Sequence, residues 1–279
     1  MTRMPRERKF PRRVWRAARL AALAGVVAAA AASAQEDFVP EGETYVIDNP
    51  SAWTRLRGEY AASIGVEPFV VRGEIGILDY LTVGVSYGGA DVFGTGAPTM
   101  NPRPGFQAKF RITNGGPILP GIAVGYDDQG HGKYYDFNPR PRYSGQNVDY
   151  DRYQFKAKGF YLVLSQEIEV LGALGLPLGV SYNVIEDKDD GDADVFGSLE
   201  KSLGPHLVLL GTYSMGLNDD APDCLGSGHG YLDAGVRWRV TENFNLEFRF
   251  TNLLENQLEA LGEDGSYARR LDLTYVGSF

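Results

Sequence analysis

The last eleven residues, Arg269 to Phe279 (RRLDLTYVGSF), constrain this chain most. Leu271, Leu273, Tyr275, Gly277 and Phe279 share one parity, and Arg270, Asp272, Thr274 and Ser278 the other, so an extended segment here has one apolar and one mostly polar face. Val276 is the exception. A soluble domain rarely stops in mid-strand on an exposed Phe, whereas an outer-membrane barrel closes with such a strand, its apolar side toward lipid and its polar side toward the lumen. The expectation is an all-β fold: a single transmembrane antiparallel up-and-down β-barrel. Tyr275 and Phe279 are then the candidate assembly signal, and the barrel-assembly machinery a partner.

The N-terminus agrees. Arg3, Arg6, Arg8, Lys9, Arg12, Arg13, Arg16 and Arg19 form a basic region, Leu20 to Ala31 an apolar one, and Ala32-Ser33-Ala34 a small-residue cleavage site. Residues 1–34 read as a secretory signal peptide, 35–52 as a periplasmic lead-in and 53–279 as the barrel. The apolar run is shorter than the ~20 residues a spanning helix needs, and no second run approaches that length, so insertion must use strands. Of 27 basic and 36 acidic residues, eight basic and one acidic (Glu7) leave with the signal, so the mature chain carries 19 against 35, a net of −16. That balance argues against nucleic acid. Cys224 is the only cysteine, which excludes an intramolecular disulfide and a cysteine-based metal site.

Alternation predicts twelve strands: 53–64, 67–78, 81–87, 106–112, 118–126, 154–166, 176–184, about 195–202, 207–217, 231–240, 245–254 and 269–279. In 154–166 the pattern is least clear, because Lys156 and Lys158 share parity with Phe160 and Leu162, as a kink would produce. Connections after the even strands are mostly short, and those after the odd ones mostly long, Gly-rich and acidic, as between periplasmic turns and outer loops. Tyr87, Tyr126, Tyr182 and Tyr213 each end an outgoing strand, where an interfacial aromatic girdle belongs. A soluble sandwich would alternate too. However, a charge on a lipid face costs roughly 2 to 4 kcal/mol at the midplane, and the apolar faces of strands 1–5 and 9–12 contain none. The expected location is the outer membrane of a Gram-negative bacterium, in contact with lipid and lipopolysaccharide.

Several segments carry a family resemblance: TVGVSYGG from Thr82, NPRPGFQAKF from Asn101, GYDDQGHG from Gly125, KGFY from Lys158, GYLDAGVRW from Gly230 and NLEF from Asn245. Over roughly Phe69 to Phe279 the chain resembles the small YjbH-like outer-membrane barrel proteins. The resemblance implies a connection with exopolysaccharide production or secretion, with an anionic polysaccharide as a partner, and implies no catalytic signature.

The assigned lumen side holds eleven bases (Arg55, Arg57, Arg72, Lys109, Arg111, Lys156, Lys158, Arg237, Arg239, Arg249, Arg270) against six acids (Glu59, Glu74, Glu200, Asp233, Glu247, Asp272). Arg72, Lys109, Arg111, Lys156 and Lys158 are the candidate basic stripe of an anion-attracting lumen. The alternative is that these side chains pair with one another and plug a narrow barrel. His131, after Asp127 and Asp128, and His229, near Asp219 and Asp220, fall on expected outer loops, where a rim hydrolase would place a general base. No spacing identifies a nucleophile, so the expectation is a non-enzyme, and His206 sits in a turn. Asp187, Asp189, Asp190, Asp192 and Asp194 surround Gly191, but the Gly is one place early for a calcium loop and the bidentate Glu is missing. Gly94 and Gly96 lack the third Gly of a dinucleotide loop, and neither a cofactor nor a metal is expected.

Overall fold

The computed structural model describes residues 43–279 except 94–95, 117, 138–149, 187–189, 222–223 and 258–267. The expected signal peptide, residues 35–42 of the lead-in, and Asp187 and Asp189 of the acidic run lie outside the described residues. In chain order the strands are β1 (Tyr45–Val46), β2 (Asn49–Pro50), β3 (Glu59–Val66), β4 (Phe69–Leu78), β5 (Leu81–Ala90), β6 (Thr99–Met100), β7 (Gly105–Asn114), β8 (Gly121–Asp127), β9 (His131–Phe137) and β10 (Tyr150–Phe155). They continue with β11 (Gly159–Glu169), β12 (Ala173–Tyr182), β13 (Asp194–Ser202), β14 (Leu207–Ser214), β15 (Tyr231–Arg239), β16 (Phe244–Thr251) and β17 (Ala268–Ser278).

Twelve of these form one closed antiparallel sheet. The hydrogen-bonded order runs β4, β3, β17, β16, β15, β14, β13, β12, β11, β8, β7, β5, and β5 pairs back with β4. Closure leaves no edge strand in the barrel wall. The C-terminal segment is central to it, since β17 pairs with β16 on one side and with β3 on the other. The alternation is realised as expected: Val71, Val85, Phe106, Phe110, Val124, Leu162, Val180, Leu209, Val236 and Phe248 are exposed on the outer wall, while Glu74, Thr82, Gln107, Lys109, Asp127, Arg237, Glu247 and Arg270 are buried inside.

Both ends of the described chain and the other short turns lie at one end of the barrel, and the long connections, together with the two-residue β3–β4 turn, at the other. Aromatic side chains band the outside at each end. At the long-loop end, Tyr126, Phe160 and Tyr182 are in register across β8, β11 and β12, with Tyr126 and Phe160 ring centroids 4.9 Å apart. Tyr87 is also exposed there, and Tyr213 donates its hydroxyl to the His229 carbonyl at 3.0 Å. At the short-turn end Tyr60 lies 6.3 Å from Tyr275 and 6.0 Å from Phe279, and Tyr80 packs on Phe110 at 5.4 Å. Phe279 is 85% exposed, on the outside.

Two expectations are corrected. The strand expected to begin at Trp53 begins at Glu59, because Trp53, Thr54 and Arg55 are buried at consecutive positions rather than alternating. The strand expected from Gln154 begins at Gly159. That residue has φ +62°, and the register slips between it and Phe160, so Lys156 and Lys158 leave the parity of Phe160 and Leu162. This is the kink that the mixed pattern required.

Candidate functional site

The lumen is filled by the chain's own N-terminal segment. Residues 43–52, expected ahead of the barrel, rise into it as the β1–β2 hairpin and return to the short-turn end. Glu43 marks the entrance, accepting from Arg55 Nη2 at 2.8 Å and Asn245 Nδ2 at 3.3 Å. On the way back the Ala52 amide donates to Ser165 Oγ at 2.8 Å, and Thr54 Oγ1 donates to the Asp79 carbonyl at 2.8 Å, in a short turn. Val46, Ile47, Ala52 and Trp53 are buried. Trp53 lies over Gly121, where a Cβ would come within 2.9 Å of its ring, so the wall is glycine where the anchor needs room.

Polar contacts hold the rising limb. Tyr45 lies between Arg72, whose Cζ is 4.5 Å from the ring centroid, and Lys109, whose Nζ is 4.6 Å from it. The Tyr45 hydroxyl donates to Asp127 Oδ2 at 2.9 Å. Lys109 also donates to the carbonyls of Thr44 and Trp53, bridging both limbs. Thr44 Oγ1 donates to Glu74 at 2.9 Å. At the hairpin tip, Asp48 Oδ1 meets Arg249 Nη1 at 2.8 Å, His131 Nε2 at 3.2 Å and Arg270 Nη1 at 3.7 Å.

Behind the plug the wall carries a chain of ion pairs. Arg237 reaches Glu200 at 2.6 Å and Glu247 at 2.9 Å, Arg249 reaches Asp272 at 2.6 Å, and Arg270 reaches Asp272 at 2.9 Å. Gly65 faces that last pair, where a Cβ would lie 2.6 Å from Arg270 Nη2 and Asp272 Oδ1. Taking so many charges from water is costly unless each finds a partner, and here every acid just named has one.

Above the plug, toward the long loops, is a vestibule of about 420 Å³. Its floor is the trio Asp48, His131 and Arg270, and its sides include Phe155 and Tyr231, with ring centroids 5.4 Å apart, Asp194 and Asp233. Lys158 Nζ donates to Ser214 Oγ at 2.8 Å and Lys156 Nζ to the Asn218 carbonyl at 2.6 Å on the same side. Below the trio a passage of about 90 Å³ runs between the plug and the wall, lined by Arg72, Arg237, Arg249, Glu74 and Glu247 among others. The trio borders both spaces. Two buried carboxylates brace the loops around the vestibule. Arg152 clasps Asp219 at 2.6 and 3.0 Å. Burial would raise the Asp219 pKa, but the guanidinium holds it below the usual carboxylate range. Glu186 accepts from the amides of Tyr153 at 3.1 Å and Ala157 at 2.7 Å, and burial pushes its pKa up to about 7.

The five bases expected to form one stripe are thus divided. Arg72 and Lys109 grip the plug, and Arg72 also pairs with Asp127 at 3.4 Å. Arg111 donates to the Asp79 carbonyl at the short-turn end, and Lys156 and Lys158 face the vestibule. The acids that offset them include Asp127 and Asp194, expected in loops but placed at the ends of β8 and β13, and Glu43 and Asp48 of the plug. His131, expected on the rim, is turned inward to Asp48 and Arg270, with Arg270 Nη1 at 2.9 Å from Nδ1. His229 remains in a loop; its Nδ1 lies 2.8 Å from Ser227 Oγ, which donates to Asn256 Oδ1 at 2.9 Å. Asp219, expected beside His229, bonds Arg152 and Tyr231 instead. Among the described residues no His, Cys, Asp and Glu cluster could hold a metal ion.

No protein-family model matches this chain, and no curated protein matches it. Among solved structures it is similar to the NanC porin structure in rhombohedral crystal form, at 9% identity and a TM-score of 0.42, covering 79% of this chain and 98% of that one. It is also similar to the Salmonella typhi OmpF complex with daunomycin, at 13% identity and a TM-score of 0.31, covering 75% of this chain and 61% of that one. These are likenesses of fold, and neither bears on what the chain does.

Proposed function

We propose that this chain is a Gram-negative outer-membrane barrel, closed at rest by its own N-terminal segment, that serves as a conduit or accessory factor for secretion of an anionic exopolysaccharide. The observation that carries the reading is residues 43–55 threading the lumen and bonded to its walls. A closed wall of twelve strands, apolar outside and banded by aromatics at both ends, suits a bilayer, where every backbone group must be paired within the protein. Lipid and lipopolysaccharide are then the surroundings of the outer wall, and Phe279, beside Tyr60 and Tyr275, is placed for recognition of the closing strand by the assembly machinery. The resemblance to YjbH-like barrels supplies the exopolysaccharide, and Arg270, Lys156 and Lys158 in the vestibule supply cationic partners for an acidic polymer.

A second reading is favoured by the paired lumen charges: a structural or surface-interaction barrel without transport, whose plug never leaves. A rim hydrolase is the third; its one supporting contact is Ser227 to His229, and no carboxylate hydrogen-bonds that ring among the described residues. Planar-bilayer recording of the purified mature protein, beside fractionation of cells, tests the proposal. The expected result is a heat-modifiable outer-membrane protein that is nearly silent at rest and opens in bursts. Recovery in the soluble periplasm, or a constant open level from the first insertion, defeats it.

A further inference from the structure

The floor of the vestibule carries an anion where a ligand's anion would bind. Asp48 is the tip of a hairpin that belongs to no barrel strand, yet its carboxylate lies against Arg249, Arg270 and His131. Arg270 and His131 also line the vestibule, and Arg249 lines the passage directly below, so two of the groups that hold the plug face the space a ligand would enter and the third is reached once Asp48 leaves. Arg270 is bonded to Asp272 and Arg249 to Asp272 and Glu247, which keeps both guanidinia in place whether or not Asp48 is there. Planar guanidinium donors of this kind bind a carboxylate from any source.

Resting on the reading of a plugged conduit, we propose that Asp48 is an internal stand-in for the ligand: Arg270 at the vestibule floor and Arg249 in the passage just beneath it form a carboxylate-binding site, and an acidic saccharide entering from the long-loop end competes with Asp48 and releases the plug. The ligand presents a carboxylate to the arginines. Its ring has the Phe155 and Tyr231 side chains beside it and Lys158 as a further cation. A neutral saccharide has no means of displacing Asp48. Because the plug occupies the site, apparent affinity for an external carboxylate falls by the fraction of molecules in which Asp48 has left.

The probe is glucuronate, with glucose as the neutral control. The chain offers its own reporter: mature protein contains Trp53 in the plug and Trp238 on the outer wall, so Trp238→Phe leaves Trp53 alone. In that background glucuronate is expected to raise acrylamide quenching of Trp53, and glucose to leave it unchanged. Calorimetric titration of detergent-solubilised protein should show glucuronate binding Asp48→Asn at least about tenfold more tightly than the parent, and Asp48→Glu like the parent. Adding Arg270→Gln to Asp48→Asn should remove the gain. Equal affinity in the parent and in correctly folded Asp48→Asn, or equal quenching by glucose and glucuronate, overturns the proposal. Should Asp48→Asn not fold, the quenching of the Trp238→Phe protein decides alone. Both readouts work in detergent and without conduction, so failure of the conduit reading shows separately, as a silent bilayer with binding intact.

Discussion

Removing residues 43–52 should turn a nearly silent barrel into a conducting one. Twelve strands about 4.8 Å apart and tilted by about 40° close at a backbone radius of roughly 12 Å, whereas eight such strands close at roughly 8 Å and are filled by their own side chains. Twelve strands therefore leave a bore of about 4 Å radius, wide enough for hydrated ions and occupied here by the two limbs of the plug. With the plug in place, the open space beside it is the passage of about 90 Å³, room for a few waters only. Deletion should raise single-channel conductance by at least about tenfold. The deletion also takes Glu43 and Asp48 away, leaving Arg249, Arg270 and Lys109 with fewer partners, so the opened bore should prefer anions at low salt. That preference should weaken as the Debye length falls from about 30 Å at 0.01 M to about 3 Å at 1 M. Trp53→Ala is the graded version: losing a buried Trp costs roughly 3–5 kcal/mol, which shifts the plugged-to-open ratio by about a hundredfold or more. The assay is planar-bilayer recording of folded, heat-modifiable protein. A deletion variant as silent as the parent would mean that wall side chains alone close the lumen, and a parent as conductive as the deletion would mean that the segment obstructs nothing.

Gly121→Val should act like Trp53→Ala in the same recordings, because its side chain needs the space the indole occupies. Deleting Phe279 should lower the yield of heat-modifiable barrel in cells, since the closing strand pairs on both sides; normal yield would remove the role assigned to this residue. For Glu186 the folded pKa is raised, so its protonated form supports docking of the β9–β10 hairpin fully below the ordinary carboxyl pKa, and that support is lost as pH rises toward about 7. The change amounts to about 3 kcal/mol at most. Limited proteolysis of that hairpin should be faster at pH 8 than at pH 5, and Glu186→Gln should flatten the difference. His229→Ala should leave conductance unchanged and abolish no hydrolytic activity; loss of a measured hydrolysis would revive the enzyme reading.

The wall of the barrel was legible because its physics is local. Each strand of the wall turns an apolar face outward and a polar face to the lumen, so parity alone gives the faces, and the twelve expected strands correspond one for one to the twelve of the wall, with starts displaced by up to six residues. Even the irregular start of β11 showed in sequence, as two lysines on an apolar parity. Inside the lumen, the sequence identifies the charged residues but not their partners. Arg72 and Lys109 are bases on a polar face in any reading; that both grip Tyr45 depends on a segment far away in the chain.

The plug itself gave a signal, and it was of the wrong kind to be read by alternation. Thr44 to Arg55 mixes Val46, Ile47, Ala52 and Trp53 with Asn49, Ser51 and Thr54, a composition too apolar for a solvated lead-in and without the period of a strand. A segment enclosed by a polar wall on all sides needs no period, since there is no second environment for half its residues to face. Its side chains are chosen instead for what they meet: Trp53 for Gly121, Tyr45 for two cations, Asp48 for two arginines. The same reasoning explains the charge count. Asp127 closes β8 and Asp194 opens β13, positions at which alternation no longer separates strand from loop, and Glu43 and Asp48 belong to a segment without a period. With those four carboxylates restored to the interior, the excess of lumen bases falls from five to one. What remains is a set of arginines whose anions come partly from a removable segment, which is why opening the barrel and making it anion-preferring should be one event.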